Sequence, residues 1–207
     1  MWTDQSYQLN ETSMNPIEII GAAIGLAYII SEYRADRWFW PLSILMSLFY
    51  IVIDFTSGIY ANGAICCYNL AMSIYGLLVW RGLVQSKEHT ERPVGSCPLR
   101  YWPFIVAAIA LLTVVLWWLL RTLGESQFPW LDGLSSALSI VAMWMLSQKY
   151  WQQWILWLLV EPLMILLFYI TGNYASALLY VVFEVFCVLG IVRWRRMAKE
   201  KSECVNS

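Results

Sequence analysis

Seven long apolar runs dominate this chain, at about residues 16–32, 38–57, 60–80, 101–120, 130–148, 151–171 and 174–194. An α-helix needs roughly 20 mostly apolar residues to cross a bilayer, so each run predicts a transmembrane helix. Composition agrees: 60% of the 207 residues are apolar and only 13% charged, too few charges to keep a domain of this size dissolved as a monomer. Pro16, Pro41, Pro103 and Pro129 fall near predicted helix starts, where a missing N–H costs little. Most joints are short. The joint at 81–100 is polar and irregular, with Lys87, Glu88, His89, Glu91, Arg92, Pro93, Gly95 and Pro98. The expected fold is an all-α polytopic membrane protein.

Basic residues set its orientation, because cytoplasmic loops carry them in excess. With the N-terminus outside, segments 33–37, 81–100, 149–150 and the tail from 193 face the cytoplasm. They hold twelve of the 13 Lys and Arg residues; only Arg121 falls outside. Residues 1–15 contain no Lys or Arg, and no cleavable secretory pattern follows them.

Shifted by 114 residues, the chain partly matches itself without a gap. Trp40 meets Trp154, and Gly58-Ile59-Tyr60-Ala61 meets Gly172-Asn173-Tyr174-Ala175. Gly76 meets Gly190, Trp80-Arg81 meets Trp194-Arg195, and Glu18 meets Asp132. The repeated unit is three helices. One intervening helix turns the chain back, so both copies point the same way. This is the parallel repeat of transporters that bind substrate between their halves. The organisation is therefore 1–15 outside, 16–81 as the first repeat, 82–129 as cytoplasmic loop plus connector helix, 130–195 as the second repeat, and 196–207 as a cytoplasmic tail. An old duplication in a membrane enzyme or scaffold would leave the same pattern.

Ionisable groups deep in a span face a cavity or a partner. Glu161 lies near mid-depth, and Trp154, Trp157 and Glu161 share one helical face through their three- and four-residue spacing. Two indoles below a carboxylate suit a flat cationic ring, through stacking, cation–π attraction and charge pairing. The competing readings are an interfacial aromatic belt, strongest for Trp151, and a structural bond from Glu161 to another helix. Pro162 adds a disturbed turn. Glu184 and Tyr180 share a face of the last span, with Ser176 a further turn away, and Asn69 lies mid-span with Ser73 one turn on. Ser43 and Ser47 occupy the repeat positions of Trp157 and Glu161, so the halves differ chemically at equal depth. Asp132, Glu18, Asp54 and Tyr60 lie near outer helix ends, as caps or entrance residues.

Other chemistry is missing. A net charge of −1 offers no field for nucleic acid. Cys66, Cys67, Cys97, Cys187 and Cys204 have no metal-ligand spacing. There is no phosphate-binding glycine loop, and no span contains a nucleophile–histidine or zinc motif. No catalytic residue, metal or cofactor is expected, and the bilayer is the surrounding solvent.

The WxxW face of Trp154 and Trp157 with Glu161 four residues later, the run Ser73 to Trp80, the run Gly172 to Tyr180, and Gly190 with Trp194 together resemble the PnuC family of vitamin transporters over residues 16–195. The resemblance implies a SWEET-like three-plus-one-plus-three bundle. It also implies a homotrimer in the bacterial inner membrane, and facilitated uptake of nicotinamide riboside, thiamine or riboflavin followed by trapping by a cytosolic kinase. Helical spacing, depth and the repeat make Trp154, Trp157 and Glu161 one wall of the expected substrate site, with Asn69, Tyr180 and Glu184 as companions. The nicotinamide riboside branch usually shows Asn or Asp where this chain has Glu161, and commonly Gln where it has Cys66. A thiol cannot replace an amide's donor and acceptor. These departures tilt the expected cargo to thiamine, with nicotinamide riboside the alternative and uncharged, larger riboflavin a poorer match. A sugar facilitator would favour amides and hydroxyls. A lipid-acting enzyme or assembly factor would need reactive groups near an interface.

Overall fold

The computed structural model describes residues 16–56, 60–84, 92–124, 126–170, 172 and 174–206. The N-terminal segment 1–15, Gly58, Ile59, Lys87, Glu88, His89, Glu91 and Asn173 lie outside those residues, as do the side chains of Glu18, Asp54, Ala61, Ala175 and Cys204.

Among the described residues seven α-helices run in chain order: α1 Pro16–Arg34, α2 Phe39–Thr56, α3 Tyr60–Trp80, α4 Trp102–Leu123, α5 Pro129–Ser147, α6 Gln153–Ile170 and α7 Tyr174–Asn206. They coincide with the seven apolar runs. Five described stretches are long and apolar enough to cross a membrane, within α3, α4 with the short 3-10 turn before it, α5, α6 and α7. Pro103 and Pro129 stand in the first turns of α4 and α5, as expected. Gly124 ends α4 in the left-handed region (φ 70°), its N–H donating to the Leu120 carbonyl at 3.1 Å. Helix α7 continues well past the predicted span. Its last turns are polar, with an exposed Arg196–Glu200 ion pair at 3.8 Å, so the described tail is a helical extension of the seventh span.

The halves repeat each other in detail. Helices α2 and α3 pack together as α6 and α7 do. Across the halves, α3 packs on α5 and α7 on α1. The corners α1–α2 and α5–α6 have one geometry. Ala35 and Lys149, 114 residues apart, are the two described non-glycine residues with positive φ, at 54° and 53°. The N–H of Ala35 donates to the Glu32 carbonyl at 2.9 Å and that of Lys149 to Leu146 at 2.8 Å. The next residues, Asp36 and Tyr150, donate to Ser31 and Met145, both at 3.0 Å. The second corner is braced by the end of the loop: Gly95 N–H donates to the Lys149 carbonyl and Trp151 N–H to the Gly95 carbonyl, each at 3.0 Å. Trp151 also donates through its indole to Ser96 Oγ at 3.0 Å, so this residue anchors the loop.

Near these corners four indoles form a shared core. Trp40 meets Trp80 edge-on at 5.2 Å, Trp154 meets Trp194 edge-on at 5.8 Å, and Trp80 and Trp194 join the pairs at 6.2 Å. Each pair is closed by a glycine that admits an indole: Gly76 lies under Trp40 and Gly190 under Trp154. Trp80 Nε1 donates to the Leu146 carbonyl at 3.2 Å and Trp194 Nε1 to the Tyr33 carbonyl at 3.1 Å, so each half holds the end of the other half's first helix. Described basic side chains gather at this indole end: Lys149 lies over Trp80, Arg193 over Tyr33 and Arg195 over Trp151. Arg121 lies over Trp117 near the opposite end.

Candidate functional site

Between the halves lie two adjoining cavities. The outer one, of about 400 Å³, is lined by Gly25, Ser43, Ser47, Cys66, Asn69, Met143 and Ser176, among others. The inner one, about 220 Å³, lies nearer the indole end and includes Ile29, Glu32, Val160, Glu161 and Cys187. Tyr28, Ser139, Trp157, Tyr180 and Phe183 line both. Many lining residues are repeat equivalents: Gly25 and Ser139, Ser43 and Trp157, Cys66 and Tyr180, Asn69 and Phe183 are all 114 apart. The space therefore follows the pseudo-twofold axis, where a parallel repeat brings its halves together. Its chemistry is unequal. Ser43 pairs with Ser73 at 2.7 Å on one side, whereas the equivalent positions opposite hold Trp157 and Cys187.

Helical spacing brings Trp157 and Glu161 to the cavity. Glu161 is 6% exposed, and its Oε2 has no hydrogen-bond partner; neither does the buried Nε1 of Trp157. Among the described residues no Lys, Arg or His lines either cavity, and Glu161 forms no ion pair. An indole, its unpartnered N–H and a carboxylate with one unpartnered oxygen thus lie together at the cavity, with no basic lining residue among those described. Asn69 and Tyr180 line the space as expected, Asn69 in the outer part and Tyr180 in both.

Two expected members stand elsewhere. Trp154 is fully buried on Gly190 and Trp194 and lines neither cavity. It shares a helical face with Trp157, but the glycine of α7 opposite draws its ring into the indole core. Glu184 is partly exposed on α7 and also lines neither cavity, although its Oε2 is buried without a partner. Tyr60 is exposed and away from both cavities, packing edge-on against Phe55. Asp132 accepts a hydrogen bond from Ser126 Oγ in the first turn of α5. Sequence reasoning missed Tyr28, Ser139 and Glu32. The signal for Glu32 was its position one turn after Tyr28; its charged neighbours made it read as the edge of a loop.

A helical membrane bundle of two like-oriented halves, with a cavity lined by two glutamates between them, defines a small-molecule transporter. The model of the family described as nicotinamide mononucleotide transporter matches residues 15–196. The nicotinamide riboside transporter PnuC of Escherichia coli K12 is 26% identical over 216 residues, covering 89% of this chain and 87% of its own length. Its counterpart of that name in Neisseria mucosa is 28% identical, with 88% and 73% covered. The riboflavin/roseoflavin transporter RibM of Streptomyces davaonensis is 24% identical, with 91% and 88% covered. A crystal structure titled as the vitamin B3 transporter PnuC has the same fold, at a TM-score of 0.72 and 22% identity, covering 95% of this chain and 87% of that one. The chain belongs to the PnuC-type nicotinamide mononucleotide transporter family, and it is a multi-pass membrane transporter.

Proposed function

We propose that this transporter carries nicotinamide riboside into a bacterial cell across the inner membrane, by facilitated diffusion. The observation that carries the reading is the junction of Trp157 and Glu161, each with a polar atom lacking a partner, at a cavity with no basic lining residue among those described. The pyridinium ring of nicotinamide riboside is flat and cationic. It can stack on Trp157 while Glu161 supplies the counter-charge in a low-dielectric setting. Asn69 offers an amide to the carboxamide, and Ser43, Ser47 and Ser139 offer hydroxyls to the ribose. A nucleotide's phosphate would meet two carboxyl groups and no cation there, which favours the nucleoside. Uncharged riboflavin leaves Glu161 without a partner.

Thiamine, the first choice on sequence, carries the same charge. Its support came from Cys66 in place of an amide together with Glu161, a longer acid where the nicotinamide riboside branch usually shows Asn or Asp. Cys66 and Asn69 line the same cavity, however, so an amide remains within the site. The relatives above are named for nicotinamide riboside and riboflavin, which supports the alternative over thiamine. Assembly as a homotrimer and trapping by a cytosolic kinase belong to this reading through the family resemblance, and a cytoplasmic C-terminus through the distribution of basic residues.

Uptake by proteoliposomes given nicotinamide riboside, thiamine and riboflavin in parallel tests the assignment. Nicotinamide riboside is expected to enter fastest. Faster entry of thiamine would return the assignment to the first choice.

A further inference from the structure

The inner cavity holds a second carboxyl group. Glu32, on α1, is 2% exposed and faces the cavity one turn beyond Tyr28. Its Oε1 has no hydrogen-bond partner. The side chain of Gln153, at the start of α6 and fully buried, lies against Glu32, yet neither its Oε1 nor its Nε2 makes a hydrogen bond of good geometry.

The repeat shows that the fold does not need polar groups here. The equivalent of Glu32 is Leu146, and the equivalent of Gln153 is Phe39. Both are fully buried in the indole-end core. One copy of the corner is thus filled with apolar side chains, and the other carries a buried acid and amide in contact with each other beside a cavity, with Oε1 of the acid left without a partner. Buried polar groups that the framework can do without are retained for a ligand or a cost is borne for nothing. Two carboxyl groups on one small cavity repel each other when both are charged, and a cation between or beside them relieves this.

We propose that Glu32, assisted by the Gln153 amide, is a second cation-binding station on the substrate path, on the indole side of Glu161. This rests on the cationic-vitamin reading above. The positively charged ring leaves Trp157 and Glu161, is met by Glu32, and passes from there toward the indole end. Glu32 therefore governs the rate at which a cationic substrate leaves the main site and the preference for charged over neutral cargo.

The test uses nicotinamide riboside and its dihydro form, which has nearly the same shape and no ring charge. In proteoliposomes, Glu32→Gln is expected to slow nicotinamide riboside flux about tenfold or more, as loss of a charge-assisted contact predicts. Flux of the dihydro form is expected to stay at the wild-type level, and calorimetric affinity for nicotinamide riboside within about threefold of wild type. Unchanged nicotinamide riboside flux, or equal slowing of both forms, overturns the second station. If Glu32→Gln is not recovered folded, Glu32→Asp replaces it. Slower nicotinamide riboside flux with an unchanged neutral flux supports the proposal, and equal changes in both overturn it. A wild-type protein that carries no nicotinamide riboside at all overturns the vitamin reading instead.

Discussion

Trp154 lies so close over Gly190 that a Cβ on that glycine would stand 2.4 Å from the indole ring. The same relation holds 114 residues earlier, where a Cβ on Gly76 would stand 2.2 Å from Trp40. Both rings are fully buried among other aromatics and have little room to retreat. Gly190→Ala and Gly76→Ala are each expected to destabilise the protein by about 1–3 kcal/mol, the usual cost of overpacking. A fall in the midpoint of thermal unfolding in detergent checks this; an unchanged midpoint for both would refute the close packing.

Trp154 and Trp157 are expected to separate cleanly on mutation. Trp154→Ala empties the indole core and should cost about 3–5 kcal/mol of stability. Trp157→Ala removes a cavity wall and should weaken nicotinamide riboside binding by about 1–3 kcal/mol through lost stacking, with a smaller loss of stability. Paired thermal unfolding and calorimetric titration of the two variants read both quantities. Reversal of the pattern would show that the roles are exchanged.

Twelve of the 13 basic residues fall on one predicted side of the membrane, and Lys149, Arg193 and Arg195 gather at the indole end. The indole end is expected to face the cytoplasm. A single cysteine placed at Ser202, in a variant freed of native cysteines, should react with a membrane-impermeant maleimide only after the cells are opened. Labelling in intact cells would invert the topology.

Transport is expected to run downhill only. Among the described residues no cluster of three or more metal-ligating side chains suggests an ion-coupling site, and the sequence has no nucleotide-binding loop. In buffer-loaded proteoliposomes, net entry of nicotinamide riboside should stop when free concentrations are equal. Accumulation of unmodified substrate under a sodium or proton gradient would contradict this.

The seven helices were legible because hydropathy and helix-start prolines act locally. The repeat was legible because it needs no gap. What the spacing of Trp154, Trp157 and Glu161 could not reveal was the neighbour each meets. A helical face is wide enough to touch both a packed core and a cavity. The repeat itself carried that information. Trp40 and Trp154, Gly76 and Gly190, and Trp80 and Trp194 are identical across the shift and build the shared framework. Trp157 and Ser43, Glu161 and Ser47, and Glu32 and Leu146 differ across it, and only the first of each pair lines the inner cavity. Glu184 shows the limit of reading depth alone: it is mid-span, yet it lines neither cavity.

The central claim is that Glu161 pairs with a cationic vitamin ring. Calorimetric titration of wild type and Glu161→Gln, each with nicotinamide riboside and with its neutral dihydro form, tests it most directly. The substitution keeps size and hydrogen bonding and removes the charge. Nicotinamide riboside should bind the variant about 5- to 150-fold more weakly, the range for a lost charge-assisted hydrogen bond of roughly 1–3 kcal/mol, while affinity for the dihydro form stays near its wild-type value. Equal affinity of wild type and a well-folded variant for nicotinamide riboside would contradict the account.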